Sequence, residues 1–257
     1  MRENRVKAKL RAGEAVIGSV ITYPEPFVVE AMAEANFDFL LIDLEHTALT
    51  IYQLQSMLIA ARGTDSTFIV RAPWNDPVWI KQILDVGAEG IIIPWVNSRA
   101  ECEQAVGAAK YPPEGLRGIG PKRAGRLDGN LQHYLAHAND EILVLPQVEQ
   151  IGAVERLDEI LTTPGVDGIM VGPADLAASM GYRDDLGNPA VESTIRRILA
   201  GCQRHNVPFG MFTGTAEKAR HWIGLGGKIA TAGADFLFID TGIARTKREI
   251  ADILGRN

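Results

Sequence analysis

Glu149 closes the apolar run EILVLPQVE, and Asp175 follows the apolar run VDGIMVG. Two carboxylates just past the ends of buried segments, with no thiol or imidazole cluster beside them, form a hard oxygen donor pair. Such a pair suits Mg2+ or Mn2+, with water and substrate completing the coordination. Each acid also precedes a helical run, and for either one alone helix capping is an equally good account. Gln147 lies two residues before Glu149 and shares its strand face by period-two alternation. It is placed to orient a metal-bound water or the substrate.

Three further groups stand at similar boundaries. Arg71 ends TFIVRAP, and an arginine closing an apolar strand requires a partner. Its planar fork fits a carboxylate or an oxyanion; a structural ion pair with Asp43 or Glu45 is the alternative. LLIDLEHTAL delivers Asp43, Glu45 and His46 at the end of another apolar run. His46 is a candidate base because imidazole titrates near neutrality; local backbone capping is the plainer reading. Asp85, in KQILDVGAEG, ends a helix whose dipole disfavours an acid. It therefore has a specific partner or is simply solvated.

Positioning these groups requires rigid elements. Strands are expected at 15–21, 37–43, 67–73, 90–96, 141–149, 166–172, 207–212 and 234–240, with helical segments between most of them. Near-continuous apolar strands alternating with amphipathic helices indicate a parallel sheet covered on both faces. Eight such units predict a (β/α)8 TIM barrel in one domain over residues 1–257. A doubly wound sheet is the main competitor, but no strand leads into a GxGxxG turn. Barrel chemistry gathers at the C-terminal strand ends, where the groups above other than Asp85 fall, together with Phe212 and Thr213 after strand seven and Asp240 and Thr241 after strand eight. Arg5–Ala12 reads as a short helix plugging the closed end. Two long intervals, one after strand four and one after strand six, have the Gly- and Pro-rich composition of active-site loops. In the first, RGIGPKRAGR lacks the frame of a phosphate-binding loop. It is read as a mobile lid offering Lys122, Arg123 and Arg126 to an anionic substrate tail.

The composition closes off other classes. The chain has 257 residues, 46% hydrophobic and 23% charged, with net charge −6. That balance opposes nucleic-acid binding. No apolar run reaches the roughly 20 residues of a membrane span, and MRENRVKAKLRAG lacks a signal-peptide core. Cys102 and Cys202, without zinc spacing, read as reduced packing residues of a cytoplasmic protein.

IDLEH, VRAPWNDPVWIKQILDVGAEGIIIPWV, YPPEGLRG, VLPQVEQ and VDGIMVGPADLAASMG resemble, in order and spacing, the HpcH/HpaI aldolases. The resemblance runs from about Lys7 to the C-terminus. These are metal-dependent class II pyruvate aldolases, such as 4-hydroxy-2-oxoheptanedioate aldolase and the 2-keto-3-deoxy sugar acid aldolases. The resemblance implies that Glu149 and Asp175 bind the divalent metal (Mg2+, Mn2+ or Co2+). It implies that Arg71 contacts the keto or developing alkoxide oxygen, and that His46, paired with Asp85, activates a water as base. The pyruvate carboxylate would rest near Gly172, Ala174 and Asp175, with Gln147 and Phe212 also lining the substrate. It further implies a barrel whose final helix swaps between neighbours in a homo-hexamer, a trimer of dimers. The chain departs from the family in the composition of the lid and in Phe212, which replaces a smaller aliphatic residue. Both departures bear on the aldehyde side.

The expected reaction is reversible cleavage of a 4-hydroxy-2-oxo acid to pyruvate and an aldehyde. The resemblance implies a metal-stabilised enolate, for which no Schiff-base lysine is needed, and no strand end offers one. The competing readings are a Mg2+-dependent acyl-CoA lyase of the malyl-CoA or citramalyl-CoA type and a non-catalytic keto-acid-binding protein.

Overall fold

The computed structural model describes residues 1–127 and 129–256. Eight parallel strands close into a barrel in sequential order. They are β1 (Val16–Ile21), β2 (Phe39–Asp43), β3 (Thr67–Arg71), β4 (Gly90–Ile93), β5 (Leu143–Val148), β6 (Ile169–Val171), β7 (Phe209–Met211) and β8 (Ile229–Ala234). Around them run α1 (Arg5–Arg11), α2 (Pro26–Glu34), α3 (Ile51–Ala60), α4 (Pro77–Asp85), α5 (Arg99–Ala109), α6 (Ala124–Leu127) and α7 (Leu131–Glu141). The ring continues with α8 (Ile151–Glu155), α9 (Leu157–Leu161), α10 (Pro173–Ser179), α11 (Pro189–His205), α12 (Ala216–Gly224) and α13 (Asp235–Leu254).

Strand alternation divides the core in two. Phe39, Leu41, Ile69, Ile92, Leu143, Leu145, Met170 and Ile229 fill the barrel interior, joined by Val6 and Leu10 of α1. Leu40, Ile42, Val70, Ile91, Ile93 and Val144 face outward against the helices. The plug expected over Arg5–Ala12 is thus formed, capped by Asn4, whose side chain accepts from the Lys7 N–H at 3.0 Å. The interior periodicity also positions the polar strand ends. Asp43 follows Phe39 and Leu41 on one face, Arg71 follows Ile69, and Gln147 follows Leu143 and Leu145. The β2–β3 register then sets Asp43 directly beside Arg71.

Two expectations are corrected. Strand eight is Ile229–Ala234, not 234–240, and ADFLFID opens α13, so Asp240 and Thr241 lie exposed on a helix rather than at a strand end. The reason is Asp235. Its carboxylate accepts from the N–H groups of Thr22 (2.7 Å) and Tyr23 (2.8 Å), tying the chain to the end of β1 as the helix begins. Upstream, the small residues of IATAGA fit the space between β7 and β1.

The segment 117–130 is not a lid over its own mouth. It follows α5, which has already returned to the N-terminal end of the barrel. There Arg123 donates to the carbonyls of Val86 and Leu58 (the latter at 2.9 Å). Asp128, within that segment, and Asn257 lie outside the described residues.

Candidate active site

The turn after β2 is built by Asp43. Its Oδ1 accepts from the Glu45 N–H at 3.0 Å, the aspartate side chain bonding backbone two residues on. Both carboxylate oxygens also grip Arg71, from Nε at 2.9 Å and from Nη2 at 2.6 Å. Arg71 Nη1 lies 3.2 Å from Glu45 Oε2, and the guanidinium sits 5.1 Å from the centroid of the Phe212 ring. The structural ion pair considered from sequence is therefore present with both acids. Burial works against the Arg71 charge, but hydrogen bonding and attraction to Asp43, then Glu45 and Glu149, raise its pKa overall.

Glu149 is 1% exposed. Its Oε1 accepts from the Trp95 N–H at 2.7 Å and its Oε2 from the Gln147 amide. This close assembly depends on Gly172: a Cβ there would stand 2.9 Å from Glu149 Oε2 and 3.1 Å from Gln147 Nε2. Burial pushes the Glu149 carboxyl up to about 7 against those two hydrogen bonds, and the charges of Glu45 and Asp175 add to the rise. Glu45 is likewise pushed up to about 7, first by burial; Arg71 opposes the shift, while Asp43 and Asp175 reinforce it. Asp175 stands in the first turn of α10, partly buried, close enough to both glutamates to disfavour their ionisation.

Four carboxylates thus converge at the barrel mouth. Among the described residues, Arg71 is the only lysine or arginine in ion-pair contact with them. Glu45 Oε2 and Gln147 Oε1 are buried without a hydrogen-bond partner. Glu45 Oε2 still has Arg71 Nη1 at 3.2 Å and Gln147 is neutral, so the charge left without a cation among the described residues is that of Glu149 and Asp175. Uncompensated buried charge is costly, and these two acids fit a divalent cation. Among the described residues, no group of three or more His, Cys, Asp or Glu is placed to hold a metal ion. A carboxylate pair alone would leave positions for water and substrate, as Mg2+ prefers.

The remaining expected groups are distributed as follows. The His46 side chain is 58% exposed, with Nε2 3.6 Å from Glu45 Oε2. Asp85 is not beside it. Helix α4 runs back from the mouth, so Asp85 lies at the opposite end of the barrel, accepting from Arg117 Nη2 at 2.6 Å. The expected His46–Asp85 pairing is not made within the chain. Gly172 spends its N–H on Val148 O at 3.3 Å, whereas the N–H groups of Ala174 and Asp175 precede the first bond of α10, from Leu176 N to Gly172 O at 3.0 Å. The sequence reading gave no role to Trp95. Its backbone contact with Glu149 is made by a main-chain N–H, for which side-chain chemistry gives no signal.

The model of the HpcH/HpaI aldolase/citrate lyase family matches residues 21–240. The chain belongs to the HpcH/HpaI aldolase/citrate lyase family. Like the aldolases among its relatives it is a carbon–carbon lyase. It is 37% identical over 232 residues to the 5-keto-4-deoxy-D-glucarate aldolase of Escherichia coli O157:H7, covering 90% of this chain and 91% of that protein. The Klebsiella pneumoniae enzyme of the same name is 34% identical over the same length and coverage. An HpcH/HpaI aldolase/citrate lyase family protein from Burkholderia cenocepacia superposes with a TM-score of 0.90 at 32% identity, over 96% of this chain and 99% of that one.

The Asp43–Arg71 pair makes a stability prediction for this HpcH/HpaI barrel. Asp43→Ala leaves a largely buried guanidinium with Glu45 alone and should cost about 3–5 kcal/mol in urea unfolding. A loss below about 1 kcal/mol would mean that Glu45 suffices to hold Arg71.

Proposed function

We propose that this chain is a divalent-metal-dependent aldolase that reversibly cleaves 4-hydroxy-2-oxo acids to pyruvate and an aldehyde. The observation that carries the reading is Glu149, a buried carboxylate facing Glu45 and Asp175. Glu149 and Asp175 would hold Mg2+, Mn2+ or Co2+. When bound, the ion supplies Lewis-acid charge to the pyruvate half of the substrate, an effect worth several kcal/mol.

The chain's own groups do the rest. The N–H groups of Ala174 and Asp175 receive the 2-oxo acid carboxylate; that of Gly172 is already committed. Gln147, whose Nε2 is spent on Glu149, would orient a water beside the same end through its unpartnered acceptor Oε1. His46, exposed and hence acting through water, removes the C4 hydroxyl proton. The C3–C4 bond then breaks with its electron pair moving to C3, the C4 oxygen becomes the aldehyde carbonyl, and C3 is protonated to give pyruvate. Arg71 Nη1, the arm not used on Asp43, faces the oxygen that gains or loses charge at C4. Any contribution of Asp85 to His46 needs a second copy of the chain, since one barrel holds them at opposite ends.

The turns after β1 to β5 and after β7 contain no lysine or arginine, which supports a free acid over an acyl-CoA substrate. A pure keto-acid-binding protein would have no use for a base such as His46. Both cysteines are free and buried, in keeping with a reducing cytoplasmic setting. Among the described residues, no helix is long and apolar enough to cross a membrane.

Helix α13 supports the homo-hexamer with swapped C-terminal helices. Phe236, Ile239, Ile243, Ile250 and Leu254 recur near heptad spacing and are exposed, and within the helix only Asp235 is buried. Such a seam needs a partner surface.

Dialysis against EDTA should abolish pyruvate release, with Mg2+, Mn2+ or Co2+ restoring it; full activity in chelator removes the metal from the mechanism. His46→Ala should lower turnover by roughly 10²–10⁴-fold, with calorimetric metal affinity close to wild type; an unchanged rate dismisses His46 as base. Ile243→Glu should dissociate the hexamer in light scattering, and an intact hexamer would show that α13 does not hold it together.

A further inference from the structure

Arg117 is a costly residue for its place. Its side chain is fully buried, yet Nε and Nη1 have no hydrogen-bond partner among the described residues. Only Nη2 is used, donating to Asp85 Oδ1 at 2.6 Å and to the Tyr134 hydroxyl at 3.3 Å. A guanidinium buried for stability is best satisfied across its fork, as Arg71 is on Asp43. Packing holds Arg117 instead. Its Cζ lies over the Tyr111 ring, 4.5 Å from the centroid, and Tyr134 meets Tyr111 edge-on at 6.4 Å. Asn139 clamps the Tyr111 backbone, accepting from its N–H at 2.8 Å and donating to its carbonyl at 2.9 Å.

This seat fixes one oxygen of Asp85 and leaves the other open. Oδ2 makes no hydrogen bond among the described residues, and the Asp85 side chain is 21% exposed. The glycines of RGIG keep the approach clear: a Cβ at Gly118 would meet no atom within 4 Å, and one at Gly120 would stand 3.8 Å from Oδ2. His46 has the complementary lack. Its acid neighbour, Glu45 Oε2 at 3.6 Å, is beyond hydrogen-bond distance, so among the described residues no acceptor in its own barrel fixes its tautomer.

We propose that Arg117 is a positioning residue: it aims Asp85 Oδ2 at a ring N–H of His46 in a second copy of the chain. The inference rests on the aldolase reading above. Asp85 then sets which ring nitrogen carries the proton and leaves the other to hold the water. Arg117 touches neither imidazole nor substrate and acts through Asp85.

The test is complementation in mixed oligomers of the metal-loaded full-length protein, read as pyruvate release from a panel of 4-hydroxy-2-oxo acids. Arg117→Met is made together with Arg117→Lys, whose retained charge guards against loss of folding. Each alone should lower kcat by roughly tenfold to a hundredfold, with KM and calorimetric metal affinity unchanged. Co-expressed with His46→Ala, each should recover about a quarter of wild-type activity, the share of sites that random mixing leaves with both groups intact. Asp85→Asn with His46→Ala should recover the same share. A defect confined to the barrel that carries the Arg117 substitution would not be rescued, because every intact His46 lies on that chain. If Asp85→Asn is complemented but the Arg117 variants are not, or if their kcat is wild-type, Arg117 does not position Asp85 and the aldolase reading stands. If Asp85→Asn is not complemented either, Asp85 does not serve a second copy and the inference falls, again without touching that reading. Wild type that cleaves no member of the panel overturns the aldolase reading and this inference with it.

Discussion

The site is organised by a shortage of positive charge. Asp43, Glu45, Glu149 and Asp175 come together at one barrel mouth, and Arg71 is the only arginine or lysine among the described residues that pairs with any of them. Arg71 is spent mainly on Asp43, through two hydrogen bonds, and only its third nitrogen reaches Glu45. Glu149 has no cation of its own. It is stabilised by two neutral donors, the Trp95 N–H and the Gln147 amide, and its carboxyl still rises to about 7. Two neutral hydrogen bonds do not replace the water lost on burial. The fold therefore sustains a standing electrostatic deficit at this point.

The opposite end of the barrel shows that this deficit is local. There charges are matched in pairs: Arg2 with Glu89 at 2.6 Å, Lys7 with Asp167 at 2.8 Å, and Arg117 with Asp85 at 2.6 Å. Those pairs tie α1, the loop after α5 and the strand starts together, and Val6 and Leu10 seal the interior beneath them. The exception is Lys110, whose ammonium is pushed down to about 8, first by burial and then by neighbouring Lys7, although it donates to the carbonyls of Asn139 and Ile142. Conservation at the closed end of such barrels reads as stability and chemistry sits at the mouth. The balance of charges in this chain divides the same way.

Much of this was legible in the sequence, for a definite reason. Period-two alternation needs no tertiary information, so Gln147 and Glu149, or Leu41 and Asp43, share a face once the strand is recognised. The carboxylate pair, Arg71 at its strand end and the α1 plug followed directly. What failed were inferences needing direction or competition between segments. Counting residues between strands does not tell whether an interval follows a strand or the helix after it, so composition points 117–130 at the mouth, whereas α5 carries it to the opposite end of its own barrel. ADFLFID satisfies a strand pattern, yet the same residues continue into an apolar helical seam, and Asp235 binding the end of β1 decides between them. The roles of Asp43 as builder of the turn, and of Trp95 as a backbone donor, depend on neighbouring strands meeting and leave little trace in residue type.

These two kinds of information meet in Gly172. In the sequence it is one of 26 glycines, before a proline that opens a short helix. Its φ is −90°, so backbone freedom does not require glycine. The requirement is space: Glu149 and Gln147 already occupy the volume a Cβ would take. A larger residue would displace Glu149 from the Trp95 N–H, which a left-handed backbone (φ 59°) presents to it. The glycine, the strained tryptophan backbone and the buried amide are three separate means of holding one carboxylate where its neighbours oppose its charge. An arrangement maintained from three sides against its own electrostatics is best understood as preparation for a ligand of opposite charge.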